Sequence, residues 1–277
     1  MRARISPATA VLGAIAAGIA LLWSTPFLWM LVASFRADTY GALDLASLAP
    51  SWPPSLENFR AAWEGGDFPL YYTNTLIVVA GTLGVQLITI SLAGYAFARL
   101  EFPGRETLFY LFLLQLMIVP PVLIVPNLKM VISLGINDSL LGVMAPYFAS
   151  AFGTFLMRQT FKSLPRDFED AAVIDGASLI QVLRYVLLPL ARPALAAFAI
   201  VSVVAHWNEF LWPLIVINSP TRRTLTLGLA SVVGGAEGAA DWGLIASATL
   251  IVSAPLLVAF VLFERRIVNS FVFSGIK

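Results

Sequence analysis

The sequence predicts an all-α protein embedded in a membrane, with six transmembrane helices. Two observations carry this reading. Of the 277 residues, 59% are apolar and 12% are charged, against roughly 25% charged in an average soluble domain. The apolar residues also gather into six stretches of about 18 to 25 residues, the length a helix needs to cross a hydrocarbon core of ~30 Å. The chain has no cysteine, so neither a disulfide framework nor a thiolate metal site is available. A formal net charge of +1 gives no reason to invoke nucleic acid.

Taken in order, the spans are expected over residues 11–35, 74–97, 107–128, 140–157, 194–217 and 244–263, within one domain that covers residues 1–277. The first is too long for a signal peptide and lacks a small-residue cleavage pattern, so it reads as a retained span. A long loop over residues 36–72, rich in Pro and aromatics, follows it. A tight link over residues 98–106 contains Pro103 and Gly104. In the third span Pro120, Pro121 and Pro126 remove backbone donors, which reads either as a kink or broken turn or as a gating hinge. The fourth span is the shortest and borrows a turn from its flanks.

Lys and Arg beside spans stay on the cytoplasmic side. With the N-terminus inside, only Arg36, Arg60, Lys129, Arg222 and Arg223 of the 17 basic residues fall outside. Both termini are therefore expected in the cytoplasm. Arg222 and Arg223, with Gly234, Gly235 and Gly238, would lie on the outer face, as a flexible loop or as a contact for another protein.

Residues 158–193 form one charged island in an apolar half, and they read as two short helices joined by a turn. Pro165 suits a first turn, and Asp167, Glu169 and Asp170 then lie near the positive end of the helix dipole. Phe168, Ala171, Ala172 and Asp175 fall at helical spacing, with the alanines leaving room for another surface. Gly176 is expected as a left-handed stop. Ser178 and Gln181 make a capping box for the second helix, which Pro189 is expected to end. Spacing alone allows either an ordinary amphipathic loop or a docking element.

Asp170-Ala171-Ala172, Asp175-Gly176-Ala177, Pro189 and Pro193 resemble the EAA motif (E-A-A-x-x-D-G-A, then P-x-x-x-P) of permease subunits in bacterial ABC importers. Asp170 departs from it, standing where the motif usually has Glu, with Glu169 beside it. Trp207-Asn208-Glu209-Phe210-Leu211-Trp212-Pro213 is similar to a signature of the carbohydrate-uptake branch, in the group like the maltose permease G protein. The segments 95–104, 152–158 and 274–277 are similar to that branch as well. The resemblance runs from about Pro26 to Lys277.

The resemblance implies a type I ABC importer permease fold in the bacterial inner membrane, importing a sugar or sugar-like solute. Glu169, Asp170, Ala171, Ala172, Asp175, Gly176, Ala177 and Pro189 would belong to the coupling helices that meet an ATPase. The implied partners are a second permease subunit, two ATP-binding subunits and an extracytoplasmic solute-binding protein. Oligosaccharide, disaccharide, amino sugar and glycerol-3-phosphate importers share these motifs.

The residues bear on rival classes too. No G-x-x-x-x-G-K-[ST] loop is present, so this polypeptide is not expected to be an enzyme or to bind a cofactor; ATP and Mg would sit on partner subunits. An ion-coupled secondary carrier would place several ionisable groups in its spans, whereas here His206 and Glu209 stand out. Three residues apart on one helix, they are too few for a metal site. His206 reads as packed or as proton-handling. Trp207, Asn208 and Glu209 read either as structural groups at the membrane interface or as part of a gate or solute pathway.

Overall fold

The computed structural model describes residues 7–36, 50–234 and 241–275, with side chains described over 11–36, 50–234 and 241–262. Arg2, Arg4, Gly235, Gly238 and Lys277 lie outside the described residues. In chain order the helices are α1 (Pro7–Ser34), α2 (Glu57–Glu64), α3 (Phe68–Arg99), α4 (Arg105–Leu113), α5 (Ile124–Ser133), α6 (Leu140–Met144) and α7 (Ala151–Ser163). There follow α8 (Asp167–Ile174), α9 (Leu179–Gln181), α10 (Leu188–Leu190), α11 (Arg192–Trp207), α12 (Leu211–Val216), α13 (Leu225–Gly234) and α14 (Trp242–Gly275). Every regular element among them is helical, as expected from lipid, which satisfies no backbone group of its own.

Among the described residues three helices are long and apolar enough to cross a membrane unaided: Val11–Ser34, Phe68–Arg99 and Trp242–Leu262. The count reaches 6 if each of 3 bent pairs is one span. In the first pair Arg105–Met117 and Pro120–Ser133 meet at 106°. Ile118 and Val119 there adopt extended backbone (ψ 122° and 126°); Val119 precedes Pro120, and a residue before proline is pushed out of the helical region. Pro126 falls in the first turn of α5, where its missing donor costs nothing. The second pair, Leu140–Tyr147 and Ala151–Ser163, bends by 44°.

The third pair corrects an expectation about Pro189. It does not end the helix after Ser178; the helical run continues to Leu190 through a π-helical stretch, Val182–Leu187, and α10 contains Pro189. The wider π turn relieves the clash between a proline ring and the carbonyl one turn back. The break falls instead at Ala191, and α11 leaves at 78° with Pro193 in its first turn. The stretch expected as one span over 194–217 is likewise two helices, α11 and α12, parted at Asn208–Phe210.

The described residues divide into two compact units. One comprises residues up to Asp67 together with Gly228–Pro255. Within it α1 shows lipid-type apolar side chains all round, Trp23 and Leu22 among them. The Asn58 amide donates to the Ser34 and Arg36 carbonyls at the C-terminal end of α1, and Phe35 packs on Phe59.

The other unit comprises Phe68–Leu227 and Leu256 onward. Its central member is α3, whose 32 residues make a rod of ~48 Å. Small residues let α7 and α11 approach closely, as in other membrane helix pairs. A Cβ on Gly94 would lie 2.6 Å from Met157 Cβ, and one on Gly153 2.6 Å from the Phe198 ring. Around this contact Ile90, Tyr95, Met157, Phe161, Leu183, Leu187 and Phe198 form a buried core.

Polar side chains of α3 hold the broken helices. The Gln86 amide donates to the Tyr147 carbonyl at 2.8 Å, and the Thr89 hydroxyl to the Phe148 carbonyl at 2.7 Å. Those are carbonyls that the break between α6 and α7 would otherwise leave unpaired in an apolar medium. At the other end the Asn74 amide donates to the Thr221 and Arg223 carbonyls.

Candidate functional site

The charged island folds into two short helices standing on the ends of α3 and α7. Pro165 lies one residue before the cap Arg166, not in the first turn of α8. Asp167, Glu169 and Asp170 occupy that turn, where carboxylates face the positive end of the helix dipole. The helix stops at Gly176, whose φ is +83°. The Ala177 N–H bonds the Ala172 carbonyl and the Gly176 N–H bonds the Val173 carbonyl, both at 2.9 Å. That pair is the Schellman stop, and it needs the left-handed residue glycine adopts cheaply. The next helix opens on the expected capping box, with Gln181 Oε1 accepting from the Ser178 N–H at 2.7 Å.

The two helices have distinct inner and outer faces. Ala172 and Ala177 pack against the buried core that includes Phe161, Val182 and Leu183. Asp170, Ala171, Asp175 and Gly176 are exposed, beside a run of exposed apolar side chains: Phe168, Val173, Ile174, Leu179 and Ile180. Ile174 is 85% exposed. The alanine pair is thus split, one facing the chain's own core and one facing away. Pro189 is half-buried in the stem beneath.

Glu169 turns inward, away from the exposed face that carries Asp170. Its Oε1 lies 2.5 Å from Arg99 Nε, a close ion pair that is not aligned as a hydrogen bond; the two side chains are 12% and 8% exposed. Arg99 Nη2 also donates to the Leu164 carbonyl at 2.8 Å. A second clasp lies alongside. Arg158 Nη2 donates to both Glu106 oxygens, at 2.8 and 2.7 Å, its Nε to the Phe97 carbonyl at 3.2 Å, and its guanidinium stacks 3.9 Å from the Phe109 ring centre. Two arginines therefore fasten the ends of α3, α4 and α7 and the start of α8 to one another. Sequence reasoning counted them as flanking charges. A basic residue inside an otherwise apolar stretch was the signal available for Arg158.

The second candidate region is the α11–α12 break. Trp207 is buried and packs near Tyr72, with ring centres 6.4 Å apart. Asn208 is exposed and turns its amide back to the Val204 carbonyl at 2.8 Å. Of the three expected pathway residues, Glu209 alone lines the large cavity. It sits at the break, not near the end of a continuous span. Its Oε1 accepts from the Trp212 N–H at 3.3 Å at the start of α12, and its carbonyl accepts from the Thr226 hydroxyl at 2.6 Å. His206 shares that wall, 3.4 Å from the Gln86 amide and with its ring centre 4.7 Å from that of Tyr147. No group of three or more His, Cys, Asp or Glu able to hold a metal occurs among the described residues.

Residues 90–270 match the family model described as binding-protein-dependent transport system inner membrane component. The chain is 32% identical to the diacetylchitobiose uptake system permease protein of Streptomyces coelicolor, over 93% of this chain and 86% of that one. It is 33% identical to the trehalose/maltose transport system permease protein of Thermococcus litoralis, over 96% and 95% of the two chains. The sn-glycerol-3-phosphate transport system permease protein of Salmonella typhimurium is 33% identical over 79% of this chain and 80% of its own. In fold, the chain matches a crystal structure of a bacterial ABC transporter involved in the import of the acidic polysaccharide alginate, with a TM-score of 0.81 over 96% of this chain and 98% of that one at 20% identity. The chain belongs to the family of binding-protein-dependent transport system inner membrane components, as a non-catalytic permease subunit of an ABC importer.

Proposed function

We propose that this permease carries a sugar or a related polyhydroxylated solute into the cytoplasm by alternating access, driven by ATP hydrolysis on partner subunits. The observation that carries the proposal is the split-faced helix pair over residues 167–190. Its outer face joins Asp170 and Asp175 to exposed Val173, Ile174, Leu179 and Ile180, and its inner face is ion-paired through Glu169 to Arg99 of α3. An apolar patch rimmed by charge marks a protein contact. A rigid attachment behind it would pass a partner's movement to the longest helix of the unit.

In this reading the first two bent pairs are one span each and α11 with α12 makes another, giving six with the three long helices, and the distribution of basic residues favours both termini in the cytoplasm. Glu169, Asp170, Ala171, Ala172, Asp175, Gly176, Ala177 and Pro189 make up the coupling element. The remaining parts are a second permease subunit, two ATPase subunits that hold ATP and Mg, and a solute-binding protein at the outer face. Relatives named for diacetylchitobiose and for trehalose/maltose support a carbohydrate as the solute.

The chain's lack of cysteine makes the orientation directly testable. A cysteine at Asn137 should react with an impermeant thiol reagent in intact cells, and one at Ser178 only after permeabilisation. Labelling of Ser178→Cys in intact cells overturns the orientation and the docking argument with it.

A further inference from the structure

The cavity between the broken α4–α5 pair and the α11–α12 break holds about 570 Å³, within the range of roughly 300–1,000 Å³ for small-molecule sites. Its polar groups fall into two sets. Gln86 is satisfied within the chain, donating to the Tyr147 carbonyl at 2.8 Å and accepting from the Ser202 hydroxyl at 2.6 Å. On the wall given by the broken pair, the Gln115 and Asn127 side chains also line the cavity, and neither has a hydrogen-bond partner among the described residues. Gln115 is exposed and Asn127 half-buried at the open side of the cavity, so both amides are available to a polar molecule that enters it.

Facing them is Glu209, the one carboxylate of the lining, which contains no Lys or Arg. Much of the remaining wall is aromatic or aliphatic: Phe152, Phe198, Trp212 and several prolines. Apolar ring faces with a few convergent amides and one carboxylate suit a molecule with C–H faces and hydroxyls. With no Lys or Arg in the lining to neutralise it, this carboxylate also disfavours any anion brought near it.

We infer that this chain contains its own solute subsite, formed by Gln115, Asn127 and Glu209, and that it takes neutral or cationic polyhydroxylated solutes and rejects anionic ones. The inference rests on the permease reading above and sharpens its substrate class. Membership of the family does not decide it, because relatives and fold neighbours are named both for uncharged sugars and for sn-glycerol-3-phosphate or acidic alginate.

The test places single cysteines, Gln115→Cys and Asn127→Cys, in the assembled transporter with its partners made cysteine-free. Modification rates are compared for cationic 2-aminoethyl and anionic 2-sulfonatoethyl methanethiosulfonate, each normalised to a free thiol. The cation should react about tenfold faster than the anion, an effect of one carboxylate at close range, and adding Glu209→Gln should bring the ratio to about one. Maltose, trehalose or diacetylchitobiose at saturating concentration should slow modification, and sn-glycerol-3-phosphate should not. A ratio near one in the parent, a ratio indifferent to Glu209→Gln, or protection by sn-glycerol-3-phosphate overturns the inference. So do cysteines unreactive in both resting and ATP-trapped transporter, which would assign the two amides to the contact with the second permease. If Glu209→Gln fails to assemble, the parent ratio and the sugar protection still decide. ATP-dependent uptake by the unsubstituted transporter, measured separately, tells a failure of the permease reading from a failure of the subsite.

Discussion

Arg99, in the last turn of α3, meets Glu169, in the first turn of α8, across 2.5 Å, with both side chains nearly enclosed. The same guanidinium holds the Leu164 carbonyl at the end of α7. Three elements thus converge on one cation, at the place where the exposed helix pair is anchored. A lone buried charge is costly, so the two residues need each other more than either is worth alone.

Removing both partners should therefore cost less than the sum of removing each alone. Arg99→Leu or Glu169→Leu is expected to lower thermal stability of the purified transporter by about 2 to 4 kcal/mol, and the double variant by less than the sum of the two, with a coupling of about 1 to 3 kcal/mol. Solute-stimulated ATP hydrolysis should fall in each single variant. Strictly additive stability losses would show that the pair does not act as a unit.

The close approach of α3 and α7 predicts a graded response at Gly94. A Cβ there meets Met157 Cβ at 2.6 Å and the Arg158 backbone N at 3.1 Å, whereas one at Gly84 meets nothing within 4 Å. Gly94→Val should cost about 1 to 3 kcal/mol or prevent assembly, and Gly94→Ala less. Gly84→Ala should be neutral or slightly stabilising, since alanine favours the helix by up to ~1 kcal/mol. Thermal unfolding of the three variants in one detergent is the measurement.

At Gly176 a side chain would find open space within this chain, so the whole intrinsic penalty comes from φ +83°. A β-branched residue suffers most there and asparagine least. Gly176→Asn should retain most uptake, and Gly176→Val should lose most of it at near-normal membrane level. An equal loss in both would point to the outer surface, not the backbone, as what matters at this position.

The loop between α5 and α6 supplies a pH test. The Asp138 carboxyl is pulled down to about 2, chiefly by the Ser219 hydroxyl and then by the Ser219 and Asn218 N–H groups, both at 2.9 Å. Arg222 donates to the Asp138 carbonyl, so the 138 and 218–222 loops are clipped together. Because the folded pKa lies below the ordinary carboxylate value of about 4, this stabilisation is complete above pH ~4 and fades as pH falls toward ~2. The melting-temperature gap between the parent and Asp138→Asn should accordingly be constant from pH 7 to 5 and shrink below ~4. A gap that widens on acidification contradicts the clip.

Composition and hydropathy were enough to read the helical, membrane-embedded class, because a bilayer leaves an apolar segment of this length few alternatives. The Gly176 stop and the Ser178–Gln181 box were equally legible, being set by neighbours within a few residues. Tertiary structure alone decided the rest. Pro189 marked a possible helix end, but a π turn absorbed it, and the pre-proline backbone at Val119 and the turn at Ala191 became the sharp bends. Nothing in local spacing says that Glu169 faces Arg99, seventy positions earlier, while Asp170 faces away, or that Ala172 packs inward and Ala171 does not. Nor does it say that Glu209 shares a cavity with Gln115 and Asn127 while adjacent Trp207 is buried near Tyr72. Periodicity reports which residues share a face of one helix. Which face meets which partner is settled only when broken helices, held by Gln86 and Thr89 of α3, bring distant side chains together.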